Sequence, residues 1–224
     1  MPTNEDDAKG FLICIAGLIL VAMLLGPTIE KSDGSSFYRA AKRHHDSGRH
    51  NLARVSYEKA LVVYSKSLKE NRLSMANTLN NLGTAYRDLN ERNKAKDCYE
   101  QSLEIKAQTL PDETHSSIAD TLKNLGLLSY DKTKAKELFE RALQVYSETL
   151  PVNHESIAET LTHLGAVYED LGDKRRASQH FEQASRIYRT NPRTGERLIN
   201  PGIVNKDLDE KHRAKELGEK TRLG

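Results

Sequence analysis

The sequence predicts an all-α protein built from repeated pairs of helices. A pattern of an apolar residue, Ala, a polar residue, Thr and Leu begins at Met75, Ile118 and Ile157. A Leu-Gly pair follows each copy, and successive glycines are 43 and 39 residues apart, a period typical of helical repeat arrays. Charged residues make up 29% of the chain and aromatic residues 6%, which agrees with exposed helical faces around an elongated core. The glycines are Gly83, Gly126 and Gly165.

The second half of each unit also repeats. An alanine is followed four residues later by an aromatic residue, and apolar residues at this spacing lie on one face of a helix. The three pairs are Ala95 and Tyr99, Ala135 and Phe139, and Ala177 and Phe181. Each unit is therefore predicted to hold two amphipathic helices joined by a tight turn. Asn90 and Gly172 occupy turn positions, where left-handed backbone costs such residues little.

Two details refine this pattern. The third unit has three fewer residues between Gly126 and Ala135, so either its turn is shorter or its first helix ends early, at Tyr130. His115 and His154 recur in the connectors between units, where we expect them to form hydrogen bonds at helix starts.

A weaker copy precedes these three units. Its first helix is polar, as suits a terminal repeat that faces water on one side. Seven residues occupy the expected core and turn positions: Phe37, Ala40, Ala41, Gly48, Ala53, Tyr57 and Ala60.

The pattern resembles the tetratricopeptide repeat, and in particular the long form of about forty-two residues found in kinesin light chains. The connectors at 110–115 and 150–154 are similar to that family's Leu-Gly-Pro-Asp-His link, although both lack its glycine. The resemblance covers Phe37 to Tyr188. It implies a helix-turn-helix solenoid of about four repeats, the first degenerate, over residues 36–190.

Helical solenoids hold partners on the concave face that the first helix of each unit lines. Asn amides can bond the backbone of an extended peptide, whereas Lys and Arg favour acidic side chains. The alternative is that these positions are ordinary exposed helix residues. Counting from each Leu-Gly pair, the predicted groove residues are Asn77, Asn80, Thr84, Arg87, Lys123, Leu127, Tyr130, Thr162 and Glu169.

The segment 10–26 is apolar and uncharged. As a helix its seventeen residues reach about 25 Å, at the short end of what crosses a hydrocarbon core of about 30 Å. A cleaved signal peptide is the alternative interpretation. The leader 1–9 is acidic where a signal peptide is basic, and no cleavage site follows, so we expect a retained transmembrane anchor and a linker at 27–35.

The charges beside this segment predict its orientation. Lys9 is the only basic residue before it, whereas Lys31, Arg39, Lys42 and Arg43 follow it. The positive-inside rule then places the repeat domain on the cytoplasmic or matrix side. The shortness of the span suggests an organellar membrane, that of the mitochondrion.

Composition and motifs exclude several function classes. The formal net charge of +2 argues against a nucleic-acid partner. The sequence contains no Gly-rich phosphate loop, Cys-x-x-Cys pair, His-Glu-x-x-His helix or nucleophile elbow. We therefore expect no enzyme, no cofactor and no small-molecule substrate.

The first repeat contains a cluster of histidines, a residue type that binds metal ions. Histidines about one helical turn apart can share an ion, but adjacent His44 and His45 point to different faces of a helix. With His50, they are best interpreted as part of a solvated polar repeat, and we predict no metal.

These observations together predict a non-catalytic, membrane-anchored scaffold for protein–protein interaction, an accessory or assembly subunit of a larger membrane complex. The alternative is an adaptor that captures cargo or peptide segments, as kinesin light chains do. The polar tail at 191–224 either caps the last repeat or reaches a partner.

Overall fold

A computed structural model describes residues 33–110 and 115–190 of the 224-residue chain. These residues form eight α-helices and no strand, which confirms the all-α helical repeat fold. The helices are α1 Gly34–Asp46, α2 His50–Ser65, α3 Leu68–Asp88, α4 Arg92–Thr109, α5 Ser116–Leu128, α6 Lys132–Thr149, α7 Glu155–Asp170 and α8 Lys174–Thr190.

The described residues divide between two compact units, with residues 33–110 in unit 1 and residues 115–190 in unit 2. Unit 1 contains the helix pairs α1–α2 and α3–α4, and unit 2 contains α5–α6 and α7–α8. Helix α1 begins at Gly34, inside the segment that was predicted to be a linker. The leader, the segment 10–26 and the tail at 191–224 lie outside the described residues. Among residues 33–110 and 115–190, no helix combines the length and the apolar character needed to cross a membrane.

The turns of unit 1 use left-handed backbone. Gly48 has a φ of 70° and Asn90 a φ of 63°, so the predicted turn residues are confirmed. Asp33 caps the start of α1, because its carboxylate accepts a hydrogen bond from the backbone N–H of Ser35 at 3.0 Å. The Asp33 cap thus begins α1, and the left-handed residues form the turns after α1 and α3.

The core of unit 1 confirms the assignment of the first, weaker repeat. Ala41 of α1 and Ala53, Tyr57 and Ala60 of α2 are buried in one apolar cluster. Leu79 on α3 joins the same cluster, so the first repeat packs against the second. Apolar burial of this kind is the main favourable term in folding.

Close helix contacts explain the repeated glycines. A Cβ at Gly83 would lie 2.7 Å from Cε1 of Tyr99 and 3.1 Å from the carbonyl oxygen of Ala95. In unit 2, a Cβ at Gly126 or Gly165 would approach the ring of Phe139 or Phe181 to 2.8 Å or 2.6 Å. The glycines therefore let an aromatic ring on the second helix of each pair touch the backbone of the first.

Unit 2 shows how the irregular third repeat is accommodated. Helix α5 ends at Leu128, two residues before Tyr130, and α6 begins at Lys132. The turn of three residues is as long as those of the other pairs, so the early end of the first helix accounts for the missing residues. His115 and His154 cap α5 and α7, and their Nδ1 atoms each accept a backbone N–H at 3.2 Å. The connector histidines therefore form the predicted bonds at helix starts.

Candidate functional site

In unit 1, the predicted groove residues all lie on α3. Their spacing of three or four residues places Asn77, Asn80, Thr84 and Arg87 on one face of that helix. Asn80 is only 9% exposed, whereas the other three are half-buried. The face is therefore partly accessible, with a buried amide at its centre.

Thr84 connects this face to the second helix of its pair. Its hydroxyl lies 3.1 Å from the hydroxyl of Tyr99 and 3.2 Å from the carbonyl oxygen of Asn80. Burial raises the pKa of Tyr99 to about 12, so the phenol is neutral at physiological pH. Thr84 thus has an internal structural role besides any contact with a partner.

The two first helices of unit 1 are joined by a second polar contact. The amide of Asn81 on α3 donates to the hydroxyl of Tyr38 on α1 at 2.8 Å. At the end of α3, the Nε and Nη2 atoms of Arg87 lie 3.2 and 3.1 Å from Oδ1 of Asp88. Arg87 is therefore held in place by its neighbour in the sequence.

In unit 2, an ion pair joins the first helices. Nζ of Lys123 on α5 lies 2.8 Å from Oε2 of Glu159 on α7, and the Lys123 side chain is 14% exposed. The same Nζ is 5.9 Å from the centre of the Tyr146 ring, within range of a cation–π contact. The Tyr146 hydroxyl donates a hydrogen bond to Oδ1 of Asp120 at 2.5 Å. Burial, and to a smaller extent the nearby charge of Asp120, raise the pKa of Tyr146. The face therefore carries one positive group between two carboxylates, Asp120 and Glu159.

The remaining predicted residues of unit 2 differ in exposure. Leu127 packs partly against the core, and Thr162 is buried and donates to the carbonyl oxygen of Ala158 at 2.8 Å. Tyr130 lies in the turn after α5 and is 59% exposed, and Glu169 is exposed near the end of α7. Tyr130 and Glu169 are thus the members of this set that are most open to a partner.

Sequence reasoning missed two features of unit 2. Glu159 was not selected, although it stands 36 residues after Lys123, close to one repeat period, where the two side chains of neighbouring first helices can meet. An open cavity of about 600 Å³ also lies between α6 and α8. Ile157, Leu161 and Leu164 of α7 also line this cavity.

The described helices define a class of protein, the helical repeat proteins that present polar faces on the first helix of each pair. Comparison with known proteins identifies the family. The tetratricopeptide repeat profile matches residues 36–108 and 118–190, which is more than half of the chain. The chain belongs to the tetratricopeptide repeat family. No curated protein sequence matches it.

Several solved structures are similar to this chain. BtubC (BKLC) from P. vanneervenii is 25% identical with a TM-score of 0.63, and the match covers 88% of this chain and 77% of that one. The TPR-like repeats of a kinesin light chain candidate from Podosopora anserina, in a variant form, are 22% identical with a TM-score of 0.62, covering 84% and 92%. The apo form of RapI is 17% identical with a TM-score of 0.62, covering 90% and 66%. The last two likenesses concern the fold alone.

Proposed function

We propose that this chain is a non-catalytic, membrane-anchored scaffold that binds other proteins, as an accessory or assembly subunit of a larger membrane complex. The observation that carries this proposal is the polar face of α5 and α7, where the Lys123–Glu159 pair spans two helices. Membership of the tetratricopeptide repeat family supports a role in binding proteins or peptides.

The chemistry of these faces favours an extended peptide with acidic and aromatic side chains. Lys123 has a carboxylate partner in Glu159, so an acidic side chain of a bound segment would take the place of Glu159. Tyr130 offers an exposed ring, and the Asn77 amide can bond a peptide backbone whatever its sequence. Asn80 and Thr162 are buried and contribute mainly to the shape of the two faces.

The membrane part of the proposal depends on the sequence. Residues 10–26 would form the anchor, and the basic residues after them favour a repeat domain on the cytoplasmic or matrix side. The short span favours a mitochondrial membrane. We propose neither a nucleic-acid partner nor a small-molecule substrate, because the charge is nearly balanced and the sequence contains no motif for catalysis.

The second candidate function is an adaptor that captures cargo or peptides transiently. Similarity to BtubC (BKLC) and to the kinesin light chain candidate supports this alternative. An adaptor exchanges its partners, whereas a subunit keeps a constant set.

Co-purification of the full chain in mild detergent separates the two functions. A partner set of constant stoichiometry supports a subunit, and exchange that increases with salt supports an adaptor. Arg87→Ala combined with Tyr130→Ala should release the partner from a folded chain, because losing one hot-spot Arg or Tyr costs about 2 kcal/mol or more, about thirtyfold in Kd.

Two further variants make this experiment specific. Val152→Ala removes an apolar side chain that is 84% exposed in a connector, and it should leave binding unchanged. Tyr130→Ala alone should weaken binding while Arg87 keeps its contact with Asp88. If the double variant binds normally and deletion of residues 191–224 abolishes binding, the tail and not the polar faces is the recognition element.

A further inference from the structure

Three side chains that can bind a metal ion meet at one end of unit 1. His45 lies in the last turn of α1, His50 is the first residue of α2 and Asp88 is the last residue of α3. Nε2 of His45 lies 2.9 Å from Oδ2 of Asp88, and Nδ1 of His50 lies 3.6 Å from the same oxygen. All three ligand atoms lie within 4.8 Å of one another.

The surroundings place one carboxylate oxygen of Asp88 beside both imidazoles. Arg87 bonds Oδ1 of Asp88, so the other carboxylate oxygen, Oδ2, is the one that faces both imidazoles. The two rings meet edge to face, with centres 5.3 Å apart. Among the described residues, Nδ1 of His50 is buried and has no hydrogen-bond partner, so its bonding capacity is unused. A metal ion would satisfy this nitrogen.

The separations of the two imidazole nitrogens from the Asp88 oxygen fit a zinc ion. Two ligand atoms bound about 2.0 to 2.1 Å from Zn²⁺ in tetrahedral geometry lie about 3.3 Å apart. The observed separations of 2.9 and 3.6 Å lie on either side of that value. Imidazole nitrogens favour zinc and related transition metals, whereas Ca²⁺ and Mg²⁺ prefer oxygen ligands alone.

We propose that His45, His50 and Asp88 form a binding site for Zn²⁺, with a fourth position left for water or for a ligand from a partner. The three side chains remain 22% to 32% exposed, so an ion can reach them from solvent. A bound ion joins α1, α2 and α3, and so ties the first repeat to the second. Its expected role is to stabilise unit 1, because an ion that binds only the folded state raises the free energy of unfolding.

Titration calorimetry of the full chain with zinc chloride, after treatment with a chelator, tests the proposal. One equivalent of Zn²⁺ should bind, and the Tm in a thermal melt should be higher with zinc than without it. His45→Gln and Asp88→Asn should each weaken binding by at least about tenfold, since even outer-shell changes cost zinc sites that much. His44→Gln is the matched control, because His44 neighbours His45 on α1 but is not part of the trio, and it should bind as the original chain does.

Several results would overturn the site. Absence of zinc binding would do so, as would binding that survives both His45→Gln and Asp88→Asn, since the ion would then occupy other histidines. If His45→Gln unfolds by circular dichroism, His50→Gln provides the same test from α2. Co²⁺ in place of Zn²⁺ should give the strong visible absorption of four-coordinate cobalt, and a weak six-coordinate spectrum would contradict the proposed geometry.

Discussion

At the scale of single residues, the repeated glycines show how little space separates the helices of a pair. The ring of Tyr99 lies where a side chain on Gly83 would have to lie. The first repeat has Ala41 at the position equivalent to Gly83, and that alanine is fully buried. Substitutions at these positions are therefore expected to act on packing and not on backbone conformation.

Gly83→Leu should lower the free energy of unfolding by about 1 to 3 kcal/mol, because overpacking forces neighbouring side chains and backbone to move. Asn77→Leu introduces the same side chain on the half-buried polar face of α3 and should change stability much less. Urea unfolding of both variants gives the comparison. Equal losses would mean that the two faces of α3 have been assigned incorrectly.

The sequence predicts which face of a helix a residue occupies, but not how deeply that residue is buried. Helical spacing places Asn80 and Thr162 on a particular face, but it does not give the depth to which neighbouring helices cover that face. The structure buries both side chains. Asp88 was missed beside His45 and His50 because about one repeat period of chain separates them, and only the folded contact brings them together.

At the scale of helices, the ends are determined by local hydrogen bonds. Ser129 donates its backbone N–H to the carbonyl oxygens of Leu125 and Gly126 at 3.1 Å, which closes α5 early. Asp131 then caps α6 by accepting the N–H of Thr133 at 2.8 Å. The sequence predicted the irregular position from three missing residues. It could not decide between a shorter helix and a shorter turn, because spacing alone does not reveal which bonds form.

Asp131→Ala should destabilise unit 2 by about 1 kcal/mol, because it removes the acceptor for two backbone N–H groups at the start of α6. Asp131→Asn is the matched control, since asparagine caps helices about as well as aspartate. Thermal melting of both variants provides the measurement. An Asn variant as unstable as the Ala variant would show that the charge, and not the cap, carries the effect.

At the scale of the whole molecule, the repeat profile follows the division of the chain. The matched segments 36–108 and 118–190 lie one in each compact unit, and each segment covers two helix pairs. Each compact unit therefore contains two of the repeats that the sequence pattern predicts. The helical fold followed from periodicity and the family from the resemblance of the repeats, whereas the membrane part remains a prediction.

We expect the purified protein to retain residues 10–26, because the leader before them is acidic and no cleavage site follows. Intact-mass measurement of protein from its natural membrane would give the mature N-terminus. A terminus near Pro27 would contradict the retained anchor and support a signal peptide.

The contact between glycine and an aromatic ring also bears on how such a chain can evolve. In each of the last three repeats both halves of the contact lie within one helix pair, as Gly126 and Phe139 do in α5 and α6. A tandem duplication of about forty residues therefore copies a complete contact, and the new pair can close without a compensating change elsewhere. Replacing Tyr99 with phenylalanine would remove a hydroxyl but keep the ring against the backbone of Gly83. The array can thus lengthen by duplication, after which selection is free to diversify the exposed positions of each copy.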